Sequence, residues 1–92
     1  MSDYSDVIEA SVKKEIDVLG DRALEIAREN GVETDESGNV RTVTGDGEEV
    51  LEDLIDSYTD ISGNLAATLI AREIEDMDTS GLELPESLSQ NL

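Results

Sequence analysis

The 92-residue chain carries 24 Asp and Glu residues against 6 Lys and Arg residues, for a formal net charge of −18 at pH 7. This length predicts a single small domain. The chain has no Cys and no His, which excludes disulfides, thiolate or imidazole metal sites and imidazole acid–base catalysis. No apolar run approaches the roughly 20 residues of a membrane span, and the acidic start Met1–Asp3 is unlike a signal peptide. We therefore expect a cytoplasmic protein with no membrane partner.

The acidic residues are spread along the whole chain, between regularly spaced Leu, Ile and Val. This periodicity indicates a folded domain with an acidic surface and argues against a disordered acidic segment. At about 1 M salt the Debye length is only about 3 Å, so repulsion between surface carboxylates is largely screened. Spread acidity, scarce lysine and few aromatic residues resemble the composition of halophilic archaeal proteins, which is a likeness of solvent adaptation and not of family. We therefore expect a halophilic cytoplasm and a fold that is lost without KCl.

Residues 3–30 are predicted to form one long N-terminal helix. Six apolar residues follow one another at steps of three or four, which places them on one narrow stripe; they are Ile8, Val12, Ile16, Leu19, Ala23 and Ile26. Asn30 and Gly31 then form a typical helix stop. Gly20 costs about 0.5–1 kcal/mol relative to Ala inside a helix, so it indicates a mild bend, a close backbone contact or a tolerated glycine.

Residues 32–44 change to alternating β-branched residues on either side of a turn that contains Gly38. This pattern predicts a short β-hairpin. Its valines must pack on the helices, because a two-stranded hairpin alone is only marginally stable. An irregular loop is the competing interpretation. Asp46, with Glu49 three residues later, predicts the N-cap of a second helix that extends to about Tyr58.

A third helix is predicted to follow the break at residues 59–63 and to end near Met77. Residues 78–92 contain Gly81 and Pro85 and show little amphipathic order, which is typical of a tail. Its leucines, Leu82, Leu84 and Leu88, would alternatively dock on a groove. The predicted fold is therefore mainly α (α+β), with one helical domain over residues 1–77 and a flexible acidic tail over residues 78–92.

The stripe of the N-terminal helix predicts a self-association surface. A helix of this length is about 40 Å long, longer than the two helices that would cover it, so part of the stripe should stay free. Its near-heptad spacing suits pairing in a dimer, with Val12, Ile16, Leu19 and Ile26 as buried anchors. A monomeric core that covers the whole stripe is the alternative. We expect a non-catalytic interaction or assembly module, most simply a homodimer, with an unidentified protein partner as another possibility.

A second interpretation is a salt-adapted helix-turn-helix regulator that binds DNA. The third predicted helix would present Asn64, Thr68 and Arg72 to a major groove, and these residue types contact phosphates and bases. Two core helices joined by a tight turn are more common. Glu75 and Asp76 would repel phosphate, and the chain has neither a basic stripe nor a basic arm.

Oxygen-bearing side chains around Gly38 resemble part of a calcium loop that would begin at Glu33 and include Asp35. The twelfth position of that loop requires a bidentate Glu and is Thr44 here, so a hairpin turn explains these residues without a metal. Among 24 carboxylates, adjacent acidic pairs arise by chance, and no glycine-rich loop is built to cradle a phosphate. We expect no enzymatic activity, no cofactor and no metal site.

Overall fold

The computed structural model describes residues 3–90, except for the side chain of Ser87, and has a mainly helical fold with a short hairpin. In chain order the elements are α1 Tyr4–Leu19, α2 Arg22–Glu29, β1 Val32–Thr34, β2 Val40–Val43, α3 Gly47–Ser62, α4 Asn64–Ile74 and α5 Glu86–Ser89. The predicted fold class is confirmed. No helix among the described residues is long and apolar enough to cross a membrane.

The N-terminal helical segment consists of two helices that meet at Gly20. α1 begins with a capping box, in which Asp3 and Asp6 each accept a 3.0 Å hydrogen bond from the other's backbone N–H. Gly20 has φ +63°, a conformation that L-residues rarely adopt, so the chain turns there and α2 begins at Arg22. The structure thus differs from the single helix predicted over residues 3–30. α2 packs back against α1 and therefore does not continue the apolar stripe of α1.

The predicted hairpin is present, and its turn is held by one carboxylate. β1 and β2 pair antiparallel. The Asp35 carboxylate accepts 2.9 Å hydrogen bonds from the backbone N–H groups of Ser37 and Asn39 and from the Asn39 side-chain amide. These bonds, the one from the Asn39 side chain first, hold the pKa of Asp35 below its usual value. The oxygen-bearing side chains in this segment therefore form a turn.

The hairpin leans on α1, as predicted for a hairpin of this size. Val32 is fully buried, and Val40 and Val43 pack on the core. Gly38 lies against α1 with φ +86°, and a Cβ atom at this position would lie 2.7 Å from Ile16 Cδ1. Glycine is required here both for the backbone conformation and for the close approach of the turn to the helix.

α3 and α4 form a helical hairpin around Gly63. Asp46 is the N-cap of α3, as predicted, and its carboxylate accepts a 3.1 Å hydrogen bond from the Glu49 N–H. α3 continues past the predicted end near Tyr58, through Thr59 to Ser62, and the break consists of Gly63 alone, with φ +69°. α4 starts at the next residue and packs on α1 and α3.

Residues 78–90 lie against the helices. Leu88 in α5 is fully buried, while Leu82 and Leu84 pack partly on the core. The Tyr4 hydroxyl donates to the Glu83 carbonyl oxygen and accepts from the Glu83 N–H, both at 2.8 Å. The three leucines therefore dock on the helices, which is the alternative to a free tail. Flexibility of the segment stays a prediction. The last two residues of the predicted tail lie outside the described residues.

Candidate interaction surface

The six residues predicted as an interface lie in or against the chain's own core. Ile8, Val12, Ala23 and Ile26 are buried, and Ile16 and Leu19 are partly buried against the same cluster. The turn at Gly20 folds the second half of the stripe back onto the molecule. A partner would reach only parts of Ile16 and Leu19, so the stripe offers little surface for binding.

The three residues predicted for DNA contact share the outer face of α4, because they are spaced by four. Asn64 and Arg72 are exposed, and Thr68 between them is half-buried. The Thr68 hydroxyl donates a 3.2 Å hydrogen bond to the Asn64 carbonyl oxygen. Glu73 is also exposed, and its carboxylate lies 4.0 Å from Lys14 Nζ. The predicted face is accessible, with acidic residues at its carboxyl-terminal end.

The large apolar side chains that stay exposed among the described residues are Val18, Ile61 and Leu65. Their exposed fractions are 43%, 46% and 55%. They belong to three different helices, at the end of α1, the end of α3 and the start of α4. We call these three residues the end patch. In a chain of net charge −18, this exposed apolar surface is the part of the structure that most resembles an interface.

The end patch lies at one end of the molecule because α1 and α3 run in the same direction. At their starts, a Cβ on Gly47 would lie 2.7 Å from Tyr4 Cβ. Further along, the Glu15 carboxylate is close enough to raise the pKa of the Tyr58 hydroxyl. Within each pair, the two residues lie equally far from the starts of their helices. Because α1 and α3 also have the same length, they end at the same level. α4 begins directly after α3, which brings Leu65 to the same end.

Two residues of the end patch, Ile61 and Leu65, lie in the least acidic part of the chain, whereas Val18 follows the exposed Asp17. Residues 61–72 contain no Asp or Glu, the longest such stretch in the sequence, and end with Arg72. This stretch covers the last two residues of α3 and almost all of α4. The sequence therefore contained a signal for this surface, namely a gap in the acidic residues, which apolar periodicity alone did not reveal.

Glu15 is a second feature that sequence reasoning missed. Its side chain is fully buried in α1, and neither carboxylate oxygen has a hydrogen-bond partner. Burial raises the pKa of Glu15 above its ordinary value. The sequence could have placed Glu15 on the buried stripe, because this residue follows Val12 by three positions and precedes Leu19 by four.

The surroundings of Glu15 do not satisfy its carboxyl group. The nearby Tyr58 hydroxyl donates instead to the Ala23 carbonyl oxygen at 2.9 Å. Burial, and secondly the Glu15 charge, raise the pKa of Tyr58. Ser62 Oγ, one turn further along α3, is also buried without a partner. Glu15 therefore faces a local environment that favours its protonated form.

Within residues 3–90, no group of three Asp or Glu side chains is arranged to hold a metal ion. The comparisons with known proteins add no assignment: no family model matches the chain, and no similar curated protein or solved structure was found. Functional interpretation of the end patch, the outer face of α4 and Glu15 therefore depends on their own chemistry.

Proposed function

We propose that the protein is a small non-catalytic interaction module that self-associates through the end patch. The observation that carries this proposal is that Val18, Ile61 and Leu65 are exposed at one end of the molecule, with Ile61 and Leu65 inside the acid-free residues 61–72. Burial of apolar side chains between two copies contributes about 25 cal/mol per Å² of apolar surface removed from water, which has to exceed the free-energy cost of association. This location differs from the stripe predicted on the sequence, most of which the core already covers.

The distribution of charge favours the end patch, over the rest of the protein surface, as the contact with a second copy of the chain. Two chains of charge −18 repel each other wherever carboxylates meet; residues 61–72 contribute none, whereas the exposed Asp17 and Asp60 flank Val18 and Ile61 and add repulsion that salt must screen. High salt reduces the remaining repulsion and strengthens apolar burial. A dimer through the end patch is therefore expected to tighten as the KCl concentration rises, as suits a halophilic cytoplasm.

Single cysteines can map this interface, because the chain has no Cys of its own. We expect mild oxidation in molar KCl to link two copies through a disulfide in at least one of the variants Val18→Cys, Ile61→Cys and Leu65→Cys. Such a bond requires Cα atoms about 4.4–6.8 Å apart and so reports direct apposition. Non-reducing gel electrophoresis measures the linked fraction.

The matched control is Ser5→Cys, which places an exposed thiol near the start of α1, at the opposite end of that helix. It should remain unlinked under the same conditions. Equal linking at position 5 and at the end patch would reflect random collision and would argue against the proposed interface.

DNA binding by α4 is the second candidate, favoured by the exposure of Asn64 and Arg72 on one face directly after the Gly63 turn. In this case Arg72→Glu should weaken binding to duplex DNA at least tenfold, since one phosphate or base contact is lost and a repulsive charge is added. A gel-shift assay in high KCl measures this change. Absence of any shift with the unmodified protein would remove this candidate and leave the dimer proposal unaffected.

A further inference from the structure

Two of the four arginines of the chain line one cleft between α2 and the hairpin. The cleft has a volume of about 220 Å³ and is lined by Leu24, Arg28, Val32, Glu33, Thr34 and Arg41. Of its two apolar residues, Val32 is fully buried and Leu24 is half-buried, so Leu24 supplies most of the accessible apolar surface. The other four lining residues are polar or charged. A concave site with a few convergent polar groups is typical of small-molecule binding.

Neither guanidinium group forms an ion pair or a hydrogen bond with the described part of the chain. Within residues 3–90, the side chains of Arg28 and Arg41 have no carboxylate within ion-pair distance and no hydrogen-bond partner. Arg41 is near enough to Asp35 to contribute to the lowering of its pKa. That carboxylate, however, already accepts hydrogen bonds within the hairpin turn. Both arginines thus remain unpaired although the chain has 24 acidic residues. Their N–H groups are available as hydrogen-bond donors to an acceptor from outside the protein.

The hairpin contains an irregularity at Arg41. Glu33 pairs with Thr42 and Thr34 pairs with Val40, so Arg41 has no residue opposite it. Such a bulge changes the direction of the side chain that it carries and is common next to functional sites. It also allows Val40 and Val43 both to pack on the core. The bulge thus places Arg41 on the same cleft as Arg28 of α2.

We propose that this cleft binds a small oxyanion, a phosphate or carboxylate group, through Arg28 and Arg41. Guanidinium groups present paired N–H donors that match the two oxygens of such groups, and each charge-assisted hydrogen bond is stronger than a neutral one. The Thr34 hydroxyl adds a donor, and Leu24 contacts an apolar part of the ligand. Glu33 on the cleft opposes the anion, so its charge lowers affinity and limits the site to ligands held by both arginines.

Titration with inorganic phosphate, followed by amide NMR shifts at constant ionic strength, tests this proposal. Potassium phosphate replaces KCl, and a parallel series uses acetate to separate phosphate from carboxylate preference. We expect saturable shifts at residues 32–34 and 41. Arg28→Gln and Arg41→Gln should each weaken binding about tenfold, the effect of losing one charge-assisted hydrogen bond. Glu33→Gln should strengthen it by removing the opposing charge.

The matched control is Arg22→Gln, which removes a cation from the same helix but outside the cleft, where Arg22 pairs with Glu25 at 3.8 Å. It should bind phosphate like the unmodified protein. Non-saturating shifts in both series, or unchanged binding in Arg28→Gln and Arg41→Gln, would overturn the proposal. The NMR spectrum outside the cleft shows whether each variant remains folded.

Discussion

Glu15→Gln is expected to raise the free energy of unfolding at pH 8 by about 1–3 kcal/mol, the additional cost of burying a charge compared with a neutral polar group. Glu15 is fully buried and both of its carboxylate oxygens are unpartnered. The folded state therefore either keeps a proton on Glu15 or buries an uncompensated charge. Glutamine has nearly the same shape and carries no charge, so the substitution removes the cost of the buried charge, keeps that of an unpaired neutral polar group and leaves the packing in place.

The same substitution should change how stability depends on pH. Burial raises the folded-state pKa of Glu15 above its ordinary value of 4.5. Below that value the carboxyl is protonated in both states, so the original protein and Glu15→Gln should be about equally stable. As pH rises through the raised folded pKa, the unfolded state binds fewer protons than the folded state, and the original protein loses stability relative to the variant. Denaturant unfolding in molar KCl at several pH values measures this difference.

Asp17→Asn is the matched control, because it removes one negative charge from an exposed position two residues away. It should change stability by less than about 0.5 kcal/mol at any of these pH values. An equal gain from Asp17→Asn would show that net charge, and not burial of Glu15, limits stability. A loss of stability in Glu15→Gln at high pH would contradict the description of Glu15 as an unpartnered carboxyl.

Removal of KCl is expected to unfold the protein. The molecule measures 29 × 26 × 20 Å, and the Debye length is about 30 Å at 0.01 M salt but about 3 Å at 1 M. At low salt every carboxylate therefore repels every other across the whole molecule, whereas at molar salt only immediate neighbours interact. Within residues 3–90 only two ion pairs offset this repulsion, Lys14–Glu73 and Arg22–Glu25.

Circular dichroism measures this effect as loss of helical signal between molar and millimolar KCl. Sucrose at an equal osmotic strength is the control, because it stabilises compact states without screening charge. If repulsion is the cause, sucrose should restore less helix than KCl does. A helical signal that stays unchanged in millimolar salt would contradict both the salt dependence and the halophilic interpretation of the composition.

Local signals in the sequence predicted most of the elements correctly. The Asp46 cap, the hairpin around Gly38 and the outward face of α4 each depend on residues a few positions apart, so that spacing and capping rules apply directly. The end of α3 was less predictable. Thr59 looked like the start of a break, yet its hydroxyl donates to the Ile55 carbonyl oxygen at 2.8 Å within a continuing helix.

The remaining features depend on contacts between distant residues. A glycine inside an amphipathic helix has a modest cost whether or not the helix breaks, and at Gly20 packing of α2 on the core accompanies the break. Glu15 belongs to a residue type that is almost always exposed, so composition argued against its burial. The end patch joins positions 18, 61 and 65, which share one end only because α1 and α3 run in the same direction.

The molar mass of the protein in molar KCl, measured by light scattering, tests self-association through the end patch most directly. One chain has a mass of 9.9 kDa, and we predict twice that mass for the original protein. Leu65→Glu should return the mass to that of one chain, because it places a charge in the apolar contact. Ser5→Glu, the same added charge at the opposite end of α1, should remain dimeric. A single-chain mass for the original protein, or a dimer that persists in Leu65→Glu, would contradict the proposed interface.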